Sequence, residues 1–401
     1  MAVVVQKYGG SSVATIEKIK AVAERVIERK KKGDEVVVVV SAMGKTTDHL
    51  INMAKEISPN PNRRELDMLM STGEQVSIAL LSIAFQQFGY DAISLTGFQA
   101  GILTEGMHTK NRIADVRIEN VKKHLDEGKI VIVAGFQGIN QFGDITTLGR
   151  GGSDTSAVAL ASKLKCTCEI YTDVEGIYNV DPRMYSDAKK LDNISYEEMM
   201  EMASLGAGVM EARAVEIACK YNIPIYVALN TGEKLGTYIK EYDETMENKA
   251  ITGLTASDDV LMVTIRNVPC KAKSIALIFE RIAKYNVNID MISQTAPLDG
   301  YVNVSFTTSK EDIYTIDDIT KEIKKEIPTI KVSKELDISK ISVVGIGMMK
   351  QSGVAAKVFS ILSENNIEFK QVTTSEISIS YTIDSIDKGR AVTALAKELN
   401  L

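Results

Sequence analysis

The strongest constraint on this chain is an alternation, over its first half, of short unbroken apolar runs with amphipathic stretches. Residues 2–5 (AVVV) and 35–40 (EVVVVV) read as strands buried on both faces, being brief, continuous and rich in valine. Between them, Ile16, Ile19, Val22, Ala23, Val26 and Ile27 fall on one face of a helix over residues 16–32. Strand, helix, strand in this order implies parallel strands joined by a crossover. The alternation predicts further helices at 68–88, 116–125, 155–163 and 212–220. It predicts further strands at 92–95, 130–134, 168–172 and 223–228. The expected fold class is α/β, with a layered domain over residues 1–235.

A polar stretch rich in Gly, Glu, Lys and Thr follows, and a linker is placed at 236–250. Beyond it the pattern changes. Strands are expected at 262–265, 289–293 and 301–307, with helices at 275–285 and 316–327. A second set has strands at 341–346, 367–373 and 377–383, with helices at 353–365 and 388–399. Phe279-x-x-Ile282-Ala283-x-x-Asn286-Val287 aligns with Phe359-x-x-Leu362-Ser363-x-x-Asn366-Ile367, a repeat of about 80 residues. Two small α+β modules are expected, at 251–335 and 336–401. An interleaved arrangement is left open, in which one module is inserted in the other and residues 250–260 or 385–401 complete the first.

A chain of 401 residues with 45% hydrophobic and 25% charged residues is an ordinary globular composition spread over more than one domain. The net charge of −6 argues against a general binder of nucleic acid or anionic membranes. The N-terminal residues lack the basic region and cleavage site of a secretion signal. No continuous apolar run approaches the ~20 residues that span a bilayer, so a cytoplasmic location is expected. Cys166, Cys168, Cys219 and Cys270 form no CxxC pair. They are read as packing thiols in a reducing compartment, and no protein metal centre is expected.

Three glycine-rich or polar segments carry the chemistry. Lys7-Tyr8-Gly9-Gly10-Ser11-Ser12 follows the first strand and precedes the first helix. Successive N–H groups and one ammonium there suit a phosphate, although an ordinary strand–helix turn would look similar. Gly149-Arg150-Gly151-Gly152-Ser153-Asp154-Thr155 opens a helix, with Ser153 or Asp154 near its cap. Arg150 could hold a carboxylate through two parallel hydrogen bonds. Residues 172–183 (TDVEGIYNVDPR) leave a strand at the carboxyl edge of the sheet, where α/β proteins place ligands. Gly44-Lys45-Thr46 is not a Walker A site, because position 39 is Val39, and Gly345-Ile346-Gly347 lacks the third glycine of a dinucleotide fingerprint. His49, His108 and His124 have no catalytic partner at a recognisable spacing, which argues against histidine-driven acid–base chemistry.

Taken together, KYGGSS (7–12), SAMGKTT (41–47), STGE (71–74), TLGRGGSDTSA (147–157) and TDVEGIYNVDPR (172–183) resemble the aspartate kinases of the amino-acid kinase family. NIDMISQ (288–294) and the segment 353–380 resemble paired ACT domains, and the resemblance covers essentially the whole chain. It implies a three-layer αβα amino-acid kinase domain followed by two ferredoxin-like ACT modules. The implied reaction is phosphoryl transfer from ATP, with Mg2+, to L-aspartate, the first step towards lysine, threonine and methionine. Lys7 and Asp154 are the implied catalytic residues. Ser41, Thr47, Glu74, Arg150, Gly151, Gly152 and Ser153 are implied to bind substrate, with Arg150 on the α-carboxylate and Glu74 on the α-amino group. Lys7, Tyr8, Gly9, Gly10, Thr172, Asp173, Tyr178, Asp181 and Arg183 are implied nucleotide contacts. Ser274, Ile275, Ile292, Gln294, Ser352, Gly353, Val354, Thr374 and Glu376 are implied to bind an effector, lysine or threonine, in a homodimer or larger assembly. Three segments depart from the family: residues 206–212 (GAGVMEA) lack the lysine of GAKVLHP, residues 227–230 read VALN, and residues 269–273 read PCKAK in place of PDKPG. The alternatives are another amino-acid kinase, of glutamate or acetylglutamate type, and an inactive amino-acid-sensing module.

Overall fold

The computed structural model describes residues 2–149, 151–232, 234–243 and 250–401. Arg150 and most of the latter half of the expected linker lie outside the described residues. The chain divides into two units. The first is Met1–Ile177, Lys190–Ser204 and Gly208–Met246; the second is Tyr178–Lys189, Leu205–Ala207 and Glu247–Leu401.

The first unit begins β1 (Val3–Tyr8), α1 (Ile16–Lys31), β2 (Glu35–Val40), α2 (Thr46–Ile57), α3 (Arg63–Met70), α4 (Thr72–Gln87), β3 (Ala92–Leu95), β4 (Ile102–Glu105) and β5 (Arg112–Val116). It continues α5 (Glu119–Asp126), β6 (Ile130–Ala134), β7 (Gln137–Ile139), β8 (Ile145–Thr147), α6 (Gly152–Leu164) and β9 (Cys168–Thr172). It ends with β10 (Asn193–Ser195), α7 (Tyr196–Ser204), α8 (Ala212–Tyr221), β11 (Ile225–Leu229) and β12 (Thr237–Lys240). Eight strands form one sheet in the order β10-β12-β11-β9-β1-β2-β6-β3. β1 is parallel to both β2 and β9, its neighbours on either side. The chain thus winds outward in two directions from β1, and open α/β sheets bind ligands beyond the carboxyl ends of the strands at such a switch point.

Side-chain alternation along β1 sends Val4 and Tyr8 to one face, where they join Ile19, Val22 and Val26 of α1 and Ile78, Leu81 and Phe85 of α4. Lys7 faces the opposite way, towards α6. The three-layer αβα arrangement follows from burying both faces of this sheet.

Several local features differ from the sequence expectations. β1 runs on through Lys7 and Tyr8, because the Lys7 ammonium has a carboxylate partner and can be tolerated in a buried strand. The helix expected at 68–88 is two helices meeting at Ser71. Together they make a 25-residue stretch, Arg63–Gln87, long and apolar enough by composition to cross a membrane, but half of its apolar 18-residue window is buried within the unit, as in core helices. The helix expected from 116 begins at Glu119, since Val116 ends β5. β12, within the stretch read as linker, is an antiparallel strand of the main sheet. A small second sheet, β5-β4-β7-β8, was not anticipated.

The second unit holds β13 (Gly253–Ser257), β14 (Leu261–Pro269), α9 (Ala272–Lys284), β15 (Asp290–Gln294), β16 (Tyr301–Thr308), α10 (Ile313–Glu326), β17 (Lys331–Glu335), β18 (Ile338–Val344), α11 (Val354–Glu364), β19 (Phe369–Thr374), β20 (Ser378–Asp384) and α12 (Lys388–Glu398). They form two four-stranded sheets, β15-β16-β14-β17 and β13-β18-β20-β19. β13 precedes the first sheet in sequence but pairs with β18 of the second. One module is therefore inserted within the other, and it is the later module that residues 253–257 complete. Each module has its own core: Val263, Ile278, Ile282 and Phe306 in one, Ile341, Val343, Leu362 and Tyr381 in the other. Edge strands β15 and β19 lie side by side, with the Gln371 amide donating to the Met291 carbonyl and, at 3.1 Å, to the Ser293 hydroxyl. Of the four cysteines, Cys168 is buried but Cys270 is exposed, so it is not a packing thiol.

Candidate active site

The site is built where β1 ends. Lys7 Nζ lies 2.7 Å from Asp154 Oδ1. The two residues are only 9% and 8% exposed, so each charge depends on the other. Asp154 is in the first turn of α6, yet its side chain makes no capping bond there. The turn is instead made by Gly151, whose φ of 65° is left-handed and whose carbonyl accepts the Asp154 N–H at 3.0 Å. Asp154 is thereby free to hold the ammonium beside the positive end of α6.

The adjoining turn is shaped by close approach. A Cβ on Gly10 would stand 2.8 Å from the Ala42 carbonyl oxygen, so only glycine lets this turn meet the one after β2. The Gly44 N–H donates to the Gly10 carbonyl at 3.0 Å. Gly9 is beside the ammonium: a Cβ there would be 3.5 Å from Lys7 Nζ. Lysine, glycine turn and helix terminus thus converge on one corner, an arrangement suited to an anion.

Glu74 approaches the same β2 turn from α4. It is 3% exposed, and its Oε1 accepts the Ala42 N–H at 3.1 Å. Oε2 has no hydrogen-bond partner. Burial pushes this carboxyl up to about 8, partly offset by backbone hydrogen bonds including the one from Ala42. A buried carboxyl with one free oxygen is suited to receive a cation. Ser41 stands directly after β2 and Thr47 in the first turn of α2. Gly152 and Ser153 open α6, where a Cβ on Gly152 would be 2.8 Å from Leu148 Cβ.

Some residues of this unit were not anticipated. Glu211, before α8, presses on the loop: a Cβ on Gly151 would lie 2.5 Å from Glu211 Cβ. Burial, with Asp154 close by, raises the Glu211 carboxyl, while Arg213 lowers it. Asp67 is fully buried and meets His108 at 2.6 Å, 41 residues away in sequence, and His124 meets Glu127 at 3.1 Å, so two histidines do have a carboxylate partner. Asn230, the departure from the family in VALN, donates to Ser12 Oγ at 2.9 Å.

The expected nucleotide contacts fall in both units. Thr172 ends β9 and its hydroxyl donates to Asp173 at 3.1 Å. Tyr178, Asp181 and Arg183 belong to the second unit, in a segment whose Val180 is buried with Leu254 and Ile341. There Arg183 pairs with Asp181 at 2.6 Å and holds its carboxyl below the ordinary range. The expected effector residues take equivalent places in the two modules. Ser274 and Ile275 are in the first turns of α9, and Ile292 and Gln294 on β15. Ser352, Gly353 and Val354 stand where α11 begins, Thr374 ends β19, and Glu376 lies in the turn before β20.

A family model described as "Amino acid kinase family" matches residues 2–229, and one described as "ACT domain" matches residues 341–399. The first covers more than half of the chain and defines the class, an amino acid kinase joined to ACT modules. The aspartokinase of Geobacillus stearothermophilus is 49% identical over 96% of this chain and 94% of its own. The aspartate kinase of Synechocystis is similar in structure, at 43% identity and a TM-score of 0.56, over 100% of this chain and 70% of that one. E. coli aspartokinase III in complex with aspartate and ADP shares the fold, at a TM-score of 0.83 and 24% identity over 100% of both chains. The chain belongs to the aspartokinases.

Proposed function

We infer that this protein transfers the γ-phosphoryl group of ATP to the side-chain carboxylate of L-aspartate, giving ADP and 4-phospho-L-aspartate. The observation that carries the reading is the nearly buried Lys7–Asp154 pair at the end of β1, beside a glycine turn and a helix N-terminus. A carboxylate oxygen attacks the γ-phosphorus, and the bond to the bridging oxygen breaks, leaving its electron pair on ADP. The nucleophile is already ionised at neutral pH, so no base is needed. The barrier is the meeting of two anions, and positioning and charge neutralisation lower it.

Lys7, with the Gly9–Gly10 turn, is assigned to the transferring phosphoryl group, and Asp154 to orienting the ammonium. Glu74 is assigned to the substrate α-amino group and Arg150 to its α-carboxylate. Ser41, Thr47 and the Gly151–Ser153 turn line the same pocket, and Thr172 and Asp173 meet the nucleotide. Among the described residues no group of three or more His, Cys, Asp or Glu is placed to hold a metal ion. Mg2+ therefore fits as a companion of the ATP phosphates, where it would neutralise charge. The paired ACT modules are assigned to sensing lysine or threonine, within a homodimer or larger assembly that acts in the cytoplasm.

The test is the purified chain with ATP, Mg2+ and L-aspartate, trapping acyl phosphate as the hydroxamate. Aspartate-dependent product is expected, and lysine or threonine should reduce it. Product with glutamate or acetylglutamate and none with aspartate would overturn the reading.

A further inference from the structure

We propose that Asp67 is a positioning residue that fixes the distance between Glu74 and the Gly151–Ser153 turn of the amino-acid pocket; this rests on the assignment of Glu74 and that turn above. Asp67 is in α3, seven residues before Glu74, and is 0% exposed. Three groups from two segments, residues 108–109 and Thr147, meet its carboxylate. The Thr147 hydroxyl donates to Oδ1 at 2.5 Å, and His108 Nδ1 meets Oδ2 at 2.6 Å. The Thr109 N–H is shared between the two oxygens, at 3.0 and 3.1 Å.

Each donor leads to the glycine-rich loop. Thr147 ends β8, and Gly149 is two residues further along the chain. Thr109 has φ of 71°, left-handed backbone that a β-branched residue rarely adopts. Strain of this kind persists only where the surroundings impose it, and here a buried carboxylate fixes the N–H. The consequence is a close approach: a Cβ on Gly149 would stand 3.3 Å from the Thr109 carbonyl oxygen. The Asn111 N–H, donating to the Thr147 carbonyl at 3.0 Å, ties the same two segments again. One carboxylate thus joins the helix pair bearing Glu74 to the loop that runs through Gly149 to the Gly151–Ser153 turn. An amino acid held between Glu74 and that turn is sensitive to their separation; a receptor misplaced by ~1 Å can cost about a hundredfold.

The phosphate corner draws on β1, β2 and α6, none of which donates to Asp67. Loss of the clamp should therefore raise KM for the amino acid and spare KM for ATP. The experiment measures both constants, with thermal melting, for Asp67→Asn, Thr147→Val and Thr147→Ser. Asp67→Asn and Thr147→Val should raise KM for aspartate by about ten- to a hundredfold, with KM for ATP within about twofold. Thr147→Ser keeps the hydroxyl and should restore KM for aspartate. Parallel changes in both KM values, a lower melting temperature with neither KM changed, or Thr147→Ser behaving like Thr147→Val would each overturn the proposal. If the parent protein phosphorylates another amino acid, the substrate assignment fails, while the same split, read on that amino acid, still decides the role of Asp67.

Discussion

Lys7 Nζ and Asp154 Oδ1, 147 residues apart in sequence, stand 2.7 Å from one another with almost no solvent access. Breaking a buried pair on one side leaves an uncompensated charge and costs about 3–5 kcal/mol, whereas removing both partners is often close to neutral. Lys7→Met should lower kcat by about two to three orders of magnitude, as loss of a preorganised charge donor does. Asp154→Asn should melt at a lower temperature than Lys7→Met/Asp154→Asn. Steady-state kinetics and thermal melting check both statements.

Glu74 makes a pH prediction with a definite sign. Its carboxyl rises from an ordinary value of 4.5 to about 8 in the folded protein, chiefly through burial. Between these values the folded chain holds a proton that the unfolded chain has released, so Glu74 makes stability fall as pH rises from 4.5 to 8. Glu74→Gln should flatten that slope in denaturation measured across the range. A substrate ammonium favours the ionised carboxylate, so aspartate binding should expel a proton. KM for aspartate should accordingly fall from pH 6 to 8 in the parent, by up to about tenfold per unit, and stay level in Glu74→Gln.

Glycine substitutions separate close approach from backbone freedom. An alanine Cβ at Gly10 would sit 2.8 Å from the Ala42 carbonyl and 3.1 Å from that of Gly44, both backbone atoms. Gly10→Ala should destabilise by about 1–3 kcal/mol, as overpacking does, and raise KM for ATP. Gly33 has φ of 94° but nothing within 4 Å of its would-be Cβ. Gly33→Ala should lose stability through its backbone alone, by about 1 kcal/mol, with KM for ATP unchanged.

Much of this was legible in the sequence, for a physical reason. The valine runs of β1 and β2 are buried on both faces, and α1 buries one face, so local pattern and tertiary environment agree. The Gly151–Asp154 turn was visible because a left-handed cap demands glycine. What escaped has the opposite character. α2 buries none of its side chains, so it carries no core periodicity. The strands of the second small sheet are three to five residues long. The partner of β13 is about 85 residues away across a whole module, and nothing local names it. Asp67 with His108, and Glu211 with Gly151, are likewise products of spatial convergence.

The regulatory unit offers a further test at the contact of its two modules. Lys340, in the middle of β18, has a side chain 11% exposed and meets Asp290, at the start of β15, at 2.6 Å. Asp290 itself is half exposed, so solvent screens the pair and its loss should cost only about 1 kcal/mol. The larger effect should be on geometry, because β15 also carries Ile292 and Gln294, two of the residues assigned to the effector. If an amino acid binds along β15, Asp290→Asn should shift the concentration of lysine or threonine that halves activity by about threefold or more, since coupling between sites is commonly 1–3 kcal/mol. KM values for ATP and aspartate without effector should stay near those of the parent. An unchanged inhibition curve would place the sensor away from this strand.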